Sequence, residues 1–252
     1  MTRVTYELHG EGYGEITLNR TDKHNAINNE MIEQFETCLE RAKEDTISFL
    51  VITGAGDQTF CAGGDLNYFH GDLDNEHAFS HLYPMKEIVH SIVLFPVPTI
   101  CMLNGNAYGG GCEIATACDI RIAKVETSFG FTQSDLGIVP GWGGGTLLYE
   151  KVHSSFALQW ITEGAIYGVN HLYDKGWIHS VVSKEDFYDR SSVLAAYLNK
   201  TPEQMEALKI QYKQQISALS LSARMNEEVR HCASLWTSSA HKEAVQQFLN
   251  KE

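Results

Sequence analysis

The chain has 252 residues, 43% hydrophobic and 20% charged, an ordinary balance for a globular protein with room for one large domain or one domain with an appendage. A formal net charge of −13 argues against a nucleic-acid binder or a basic membrane-surface protein, although a local basic patch could still hold an anionic ligand. No apolar run approaches the length of a membrane span, and Met1–Glu7 lacks the apolar core of a signal peptide, so the expectation is a cytoplasmic protein with no membrane partner. In chain order, Glu15–Leu18 reads as a strand. Asn28–Glu44 reads as a helix, with Met31, Ile32, Phe35, Leu39 and Ala42 at helical spacing and Asn28 or Asn29 as its cap. Phe49–Thr53 is a buried strand ending at Gly54. A helix over Ala78–Phe95 is stopped by Pro96 and Pro98. Thr99–Leu103 is the next strand, Ile114–Cys118 the first turns of a helix, and Asp119–Ala123 and Ser180–Val182 are further strands. Such alternation predicts an α/β core with parallel strands and crossover helices.

Beyond Glu185 the pattern changes. Asp186–Asn199, Pro202–Ile216 and Ser220–Leu249 read as consecutive helices with few breakers. The expected layout is an α/β core over residues 1–185 and a helical C-terminal region over 186–252. The last helices carry an apolar stripe of Met225, Val229, Leu235, Val245, Phe248 and Leu249, which packs on another subunit or folds back on its own core. The six cysteines (Cys38, Cys61, Cys101, Cys112, Cys118 and Cys232) form no CxxC and sit mostly in apolar runs, as buried free thiols would. The eleven histidines include no HExxH or H-x-H, so no metal site is expected.

The most informative stretch is Asn104-Gly105-Asn106-Ala107-Tyr108-Gly109-Gly110-Gly111-Cys112-Glu113. It joins a buried strand to a helix. Three consecutive glycines there leave peptide N–H groups unshielded, the helix N-terminus adds partial positive charge, and Glu113 stands two residues on. Bare amide donors beside one carboxylate suit an enzyme that makes an oxyanion and moves a proton. A second glycine loop, Phe60-Cys61-Ala62-Gly63-Gly64-Asp65-Leu66, follows the Phe49–Thr53 strand. Alone it reads as a turn. Paired with the first, it can converge two N–H donors on one oxygen.

With these two loops, the chain resembles the crotonase family, also called the enoyl-CoA hydratase/isomerase family. The likeness covers nearly the whole chain. It includes Leu18-Asn19-Arg20 with Lys23-His24-Asn25-Ala26-Ile27, Val51-Ile52-Thr53-Gly54, both glycine loops, Cys118-Asp119-Ile120-Arg121-Ile122-Ala123, Phe129-Gly130 and Gly137-Ile138-Val139-Pro140-Gly141-Trp142-Gly143-Gly144. The resemblance implies a crotonase-like α/β fold, a spiral of ββα units with parallel sheets, plus the helical C-terminal region. It implies an acyl-CoA thioester as substrate, with no cofactor beyond that coenzyme A, and a homotrimer or hexamer. It places the two thioester-polarising amides on Gly64 and Gly110. Ala62 to Leu66, Asp65 included, would line the coenzyme A path, with Lys23 and Ala26 near the nucleotide. Lys242 and Lys251 are candidates for a CoA phosphate, or belong to a solvated helix face.

The family's hydratases hold a water between two glutamates. The first matches Glu113, and the place of the second, three residues after Gly130, holds Gln133. A glutamine orients a water or carbonyl but exchanges no proton near neutral pH. Asp135 is a possible substitute. Three readings follow. Glu113 acts as the acid/base of a double-bond shift or a hydration; or the chain decarboxylates short alkylmalonyl-CoA thioesters, with Tyr68 and His70 as possible acyl or carboxylate contacts; or it is a non-catalytic acyl-CoA-binding subunit. The helix after Ala78 with Phe69, Leu82, Met85, Val139 and Trp142 is expected to form the acyl pocket, and Trp142 to favour short or branched groups.

Overall fold

The computed structural model describes residues 2–65, 68, 73–215 and 218–249. Strands β1 (Val4–Leu8) and β2 (Gly14–Leu18) form an antiparallel hairpin, and α1 (Asn29–Glu44) follows, capped by Asn28 Oδ1, which accepts from Met31 N–H at 3.0 Å. Then β3 (Leu50–Gly54), β4 (Thr59–Cys61) and α2 (Asn75–Val93) make one ββα unit. The next is β5 (Thr99–Leu103), β6 (Asn106–Tyr108) and α3 (Gly110–Ala117). The third is β7 (Ile120–Lys124), β8 (Ser128–Gly130), a 3₁₀ turn over Thr132–Leu136, and α4 (Gly144–Lys151). Each unit sends one strand to each of two sheets. The larger sheet runs β1-β2-β3-β5-β7-β10 and the smaller β4-β6-β8-β9, with β9 at Ile166–Gly168 and β10 at Ser180–Val182. Pairs β3–β5, β5–β7, β4–β6 and β6–β8 are all parallel, so the chain winds as the expected spiral. Helices α5 (Ser154–Glu163) and α6 (Val169–Asp174) flank β9.

The central strands are buried on both faces, which is why they read as unbroken apolar runs. Leu50, Ile52, Cys101, Leu103 and Ala123 face the main core with α1 and α2, whereas Phe49, Val51, Ile100, Met102 and Ile122 face a second cluster with Phe187, Leu194 and Met205. That second face is covered by the C-terminal region. Its first part is broken into a 3₁₀ turn (Asp186–Tyr188), α7 (Arg190–Val193) and α8 (Ala195–Leu198), where the sequence pattern predicts one helix. Then come α9 (Pro202–Gln215), α10 (Ala218–Trp236) and α11 (Ser239–Leu249), the last two separated at Thr237–Ser238. Leu221, Met225, Val229, Cys232, Ala233 and Trp236 of α10 belong to the main core. The stripe therefore folds back on its own chain, and packing crosses the boundary drawn at residue 185. Leu235 is partly exposed, and the side chains of Phe248 and Leu249 lie outside the described residues. All six cysteines are free and buried. Burial pushes the Cys61 thiol up to about 12, so it is inert at neutral pH. Among the described residues no helix is long and apolar enough to cross a membrane.

One polar side chain ties the sheet to the first glycine loop. Asn104 is 1% exposed; its Oδ1 accepts from Gly54 N–H at 3.0 Å, and its Nδ2 donates to the carbonyls of Gly56 at 3.0 Å and Thr59 at 3.3 Å. Replacing it leaves the Gly54 N–H inside the fold without its acceptor and takes a donor from the carbonyls of exposed Gly56 and of Thr59, the latter still bonded to Asn25 Nδ2 at 2.9 Å. We expect Asn104→Ala to lower stability by about 1–3 kcal/mol in urea unfolding, since buried groups lose partners without regaining water.

Candidate active site

The first loop, after β4, and the second, between β6 and α3, touch. A Cβ built on Gly63 would stand 3.1 Å from the Tyr108 carbonyl oxygen and 3.3 Å from the Gly110 amide nitrogen. Ile27 runs beside the first loop: its N–H donates to the Gly63 carbonyl, and Asp65 N–H donates to the Ile27 carbonyl, both at 2.8 Å. In that parallel bridge Gly64 N–H stays on the opposite edge. Gly110 opens α3, where an N–H has no acceptor within the helix. Among backbone bonds of the described residues, neither Gly64 N–H nor Gly110 N–H donates. Both line one cavity of about 420 Å³, together with Ala62, Glu113, Gln133 and Trp142.

The triple glycine is explained by close approach more than by flexibility. A Cβ on Gly110 would lie 2.0 Å from the Trp142 ring, and one on Gly111 2.1 Å from the Cys61 carbonyl oxygen. Only Gly109 takes a backbone (φ 52°, ψ −119°) that side chains disfavour. The helix starts at Gly110, earlier than the apolar pattern shows, so Glu113 lies in its first turn.

Glu113 is 1% exposed and accepts from four donors. Oε1 takes Gln133 Nε2 at 2.9 Å and Gly141 N–H at 3.3 Å, and Oε2 takes Trp142 N–H at 2.8 Å and Gly144 N–H at 2.9 Å. Burial pushes its carboxyl above the ordinary glutamate range, and the Gly144, Trp142, Gly141 and Gln133 donors pull it back. Because Gln133 Nε2 faces the carboxylate, its Oε1 is fixed as an acceptor, buried and unpaired at the cavity wall. Each carboxylate oxygen thus has two donors, and the Gly141 bond to Oε1, at 3.3 Å, is the longest of the four.

The remaining predicted residues fall around this centre. Lys23 is exposed on a 3₁₀ turn, and half-buried Ala26 follows a left-handed pair, His24 and Asn25. This loop is joined to the first glycine loop, since Ala62 N–H donates to the His24 carbonyl at 3.1 Å. Asp65 forms an ion pair with Arg20 at 2.6 Å. None of Lys23, Ala26 and Asp65 lines the cavity. Lys242 is exposed on α11, which packs against the 3₁₀ turn at Thr132–Leu136. Leu66, Phe69, His70 and Lys251 lie outside the described residues. Leu82 and Val139 line the cavity as expected, whereas Met85 is buried without lining it, and Tyr68 bonds Asn29 Oδ1 at 3.0 Å. Asp135 is exposed at the rim, beside Gly164. Sequence reading missed Tyr108, Leu136, Ile138, Ile166, Cys232 and Trp236 as lining residues. For the last two the signal was present, because an apolar stripe of 225, 229, 232 and 236 continues one helical face.

Residues 9–252 match the family described as Enoyl-CoA hydratase/isomerase. The chain belongs to this family, which acts on acyl-CoA thioesters. It is 31% identical to 1,2-epoxyphenylacetyl-CoA isomerase of Escherichia coli (strain K12), over 96% of this chain and 93% of that protein. It is 28% identical to ethylmalonyl-CoA decarboxylase of Gallus gallus, over 93% and 80% of the two chains. The crystal structure of enoyl-CoA hydratase from Bacillus halodurans superposes with a TM-score of 0.87 at 21% identity, covering 97% of this chain and 99% of that one. The crotonase fold is thereby established, and neighbours of three different activities share it.

The contact between Gly110 and Trp142 gives a direct test of the second amide. Gly110→Ala forces the indole aside and displaces that N–H. A drop of about 10²-fold or more in kcat/KM is expected; a wild-type rate would place the reacting carbonyl elsewhere.

Proposed function

We propose that this protein is an acyl-CoA enzyme that holds the thioester carbonyl between the Gly64 and Gly110 amides, stabilises the resulting enolate there, and uses Glu113 to move a proton in a double-bond shift. The observation that carries this reading is that Glu113 is the one buried carboxylate lining the cavity among the described residues, with Asp135 exposed at the rim and glutamine at the second position. With a β,γ-enoyl-CoA, Glu113 Oε1 takes a proton from the α-carbon, the dienolate oxygen is held by the two amides, and the same carboxyl returns the proton to the γ-carbon. One acid/base serves both steps. Hydration asks more of the site, because a second group must exchange a proton and Gln133 cannot. Two converging donors in a dry pocket are worth a large rate factor, as loss of one typically costs about 10²–10³.

The reading needs no cofactor beyond the substrate's own coenzyme A. We place that moiety along Ala62–Asp65 and the Lys23–Ala26 loop, which are hydrogen-bonded to each other. Trp142, packed over Gly110, limits the acyl group to short or branched chains.

A second reading, decarboxylation of a short alkylmalonyl-CoA, is favoured by the relative with that activity and by the crowded, largely apolar cavity wall. CO₂ loss yields the same enolate without a starting base, and Glu113 would then protonate it. Purified protein should be incubated with a β,γ-enoyl-CoA, crotonyl-CoA and ethylmalonyl-CoA and each followed by mass. Isomerisation supports the first reading, CO₂ loss the second, and water gain would overturn the argument from Gln133. Coenzyme A thioester binding without any turnover would leave only a binding role.

Glu113→Gln should lower isomerisation by about 10²–10⁴, the usual worth of a general acid/base, with thioester binding retained. The pH profile should also carry the burial of Glu113. The carboxylate form takes the proton, so kcat/KM falls as pH drops through its pKa. Since burial raises that pKa, the acid limb should lie at higher pH than an exposed glutamate would give, and Glu113→Gln should remove the limb.

A further inference from the structure

The turn Gly141–Thr146 is gripped by two carboxylates. Glu113 accepts the N–H groups of Gly141, Trp142 and Gly144 from the cavity side. Glu228, on α10, accepts those of Gly143, Gly145 and Thr146. Its Oε1 takes Gly143 N–H at 2.9 Å and Gly145 N–H at 3.2 Å, and its Oε2 takes Thr146 N–H at 2.5 Å and meets Thr146 Oγ1 at 2.6 Å. Glu228 does not line the cavity.

We propose that Glu228 is a positioning residue for Glu113: it holds the Gly143–Thr146 turn in the one arrangement in which that turn's amides orient the catalytic carboxylate and Trp142 lies over the Gly110 amide. The proposal rests on the role given to Glu113 above. Its physical basis is the glycine content of the turn. Gly141, Gly143, Gly144 and Gly145 leave the segment few side chains to fix its path, and such backbone has many alternatives when freed. Two things restrict it. Helix α10 presses Met225 against Gly143, where an added Cβ would lie 2.2 Å from the methyl carbon, and Glu228, one turn along the same face, binds polar groups of Gly143, Gly145 and Thr146. The two sets of amides interleave over Trp142–Gly145, so neither carboxylate can shift without moving the other's donors.

Two acids share this turn, and the arrangement tolerates them because Glu228 can be neutral. Burial, and then the charge of Glu113, push its carboxyl up to about 8. In the protonated form Oε1 still accepts from Gly143 and Gly145, and Oε2 can give its proton to Thr146 Oγ1. An acid held this way keeps the turn closed without adding a full second negative charge beside Glu113. A glutamine keeps the Oε1 contacts and can donate through Nε2 to Thr146 Oγ1, but it gives up the bond that Oε2 accepts from Thr146 N–H.

Glu228→Ala and Glu228→Gln separate positioning from mere stability. The readouts are amide hydrogen exchange of the peptide spanning residues 139–148, kcat and KM for the β,γ-enoyl-CoA, and exchange of β5 and β7 amides as a control for global unfolding. In Glu228→Ala, exchange at 141–146 should rise by about tenfold or more while β5 and β7 stay protected. Its kcat should fall by roughly 10²-fold, as expected for a displaced catalytic group, with KM nearly unchanged. Glu228→Gln, which keeps the Gly143 and Gly145 bonds and loses that to Thr146 N–H, should rescue most of both. A folded Glu228→Ala with wild-type exchange and kcat overturns the proposal. So does a Glu228→Gln that loses kcat while the turn stays protected, because the acid would then act by its proton. If Glu228→Ala does not fold, Thr146→Val carries the test: faster exchange at 144–146 with lower kcat at unchanged KM supports the proposal, and wild-type values of both overturn it. Absence of turnover in the wild type would sink the reading of function, while the exchange data would still decide whether Glu228 holds the turn.

Discussion

The structure around the cavity depends on how a buried carboxylate is satisfied. Glu113 has almost no contact with water, and an unpaired ion there would cost several kcal/mol. The chain meets that demand with backbone. Three peptide N–H groups from one glycine-rich turn and one side-chain amide converge on the two oxygens. The turn therefore cannot be any turn. It must pass within contact of α3, so closely that a Cβ on Gly144 would fall 2.3 Å from Glu113 Cβ. Glycines at 141, 143, 144 and 145, the placement of Trp142 over Gly110 and the start of α4 all follow from bringing these amides to one carboxylate.

The same constraint links parts of the chain that are far apart in sequence. Glu113 comes from the second ββα unit, Gln133 and the turn from the third, and the helix that backs the turn from the C-terminal region. Each unit of the spiral ends its strands at the same side, so successive units deliver their loops to one place. The first unit brings Gly64, the second Gly110 and Glu113, the third the donors that fix Glu113. The site is thus assembled by repetition of one topology, with a different chemical part placed after each repeat.

Much of this was legible in the sequence. The strands β3 and β5 announce themselves as apolar runs because both faces are buried, and the two glycine loops follow the short strands β4 and β6 that come next in the chain. The smaller sheet was not legible. Its strands β4, β6, β8 and β9 have three residues each, too few for any periodicity to register. The helical C-terminal region was read correctly as helices. Its role was hidden because an apolar stripe states that a helix is covered and not by what. Residues 187–205 cover the second face of the large sheet, and α10 covers the Gly141–Thr146 turn. Met225 and Val229 stood in that stripe with an acidic residue, Glu228, between them, and a charge on a buried face is itself a signal.

Gln133 shows how one substitution redistributes chemistry without disturbing the fold. In the position where a second carboxylate would stand, an amide does two things a carboxylate cannot. It donates to Glu113, which adds a fourth bond to the buried ion in place of a like charge at 2.9 Å. It also turns a carbonyl oxygen, with no proton to give, toward the cavity. A glutamate there would raise the pKa of the pair and leave one proton shared between them. With glutamine, Glu113 is the buried carboxylate left to exchange a proton in the proposed reaction, and the neighbouring amide becomes a fixed acceptor. In the proposed mechanism oxyanion stabilisation needs only the two glycine loops, so the proposed enolate does not depend on residue 133 while the steps open to it do.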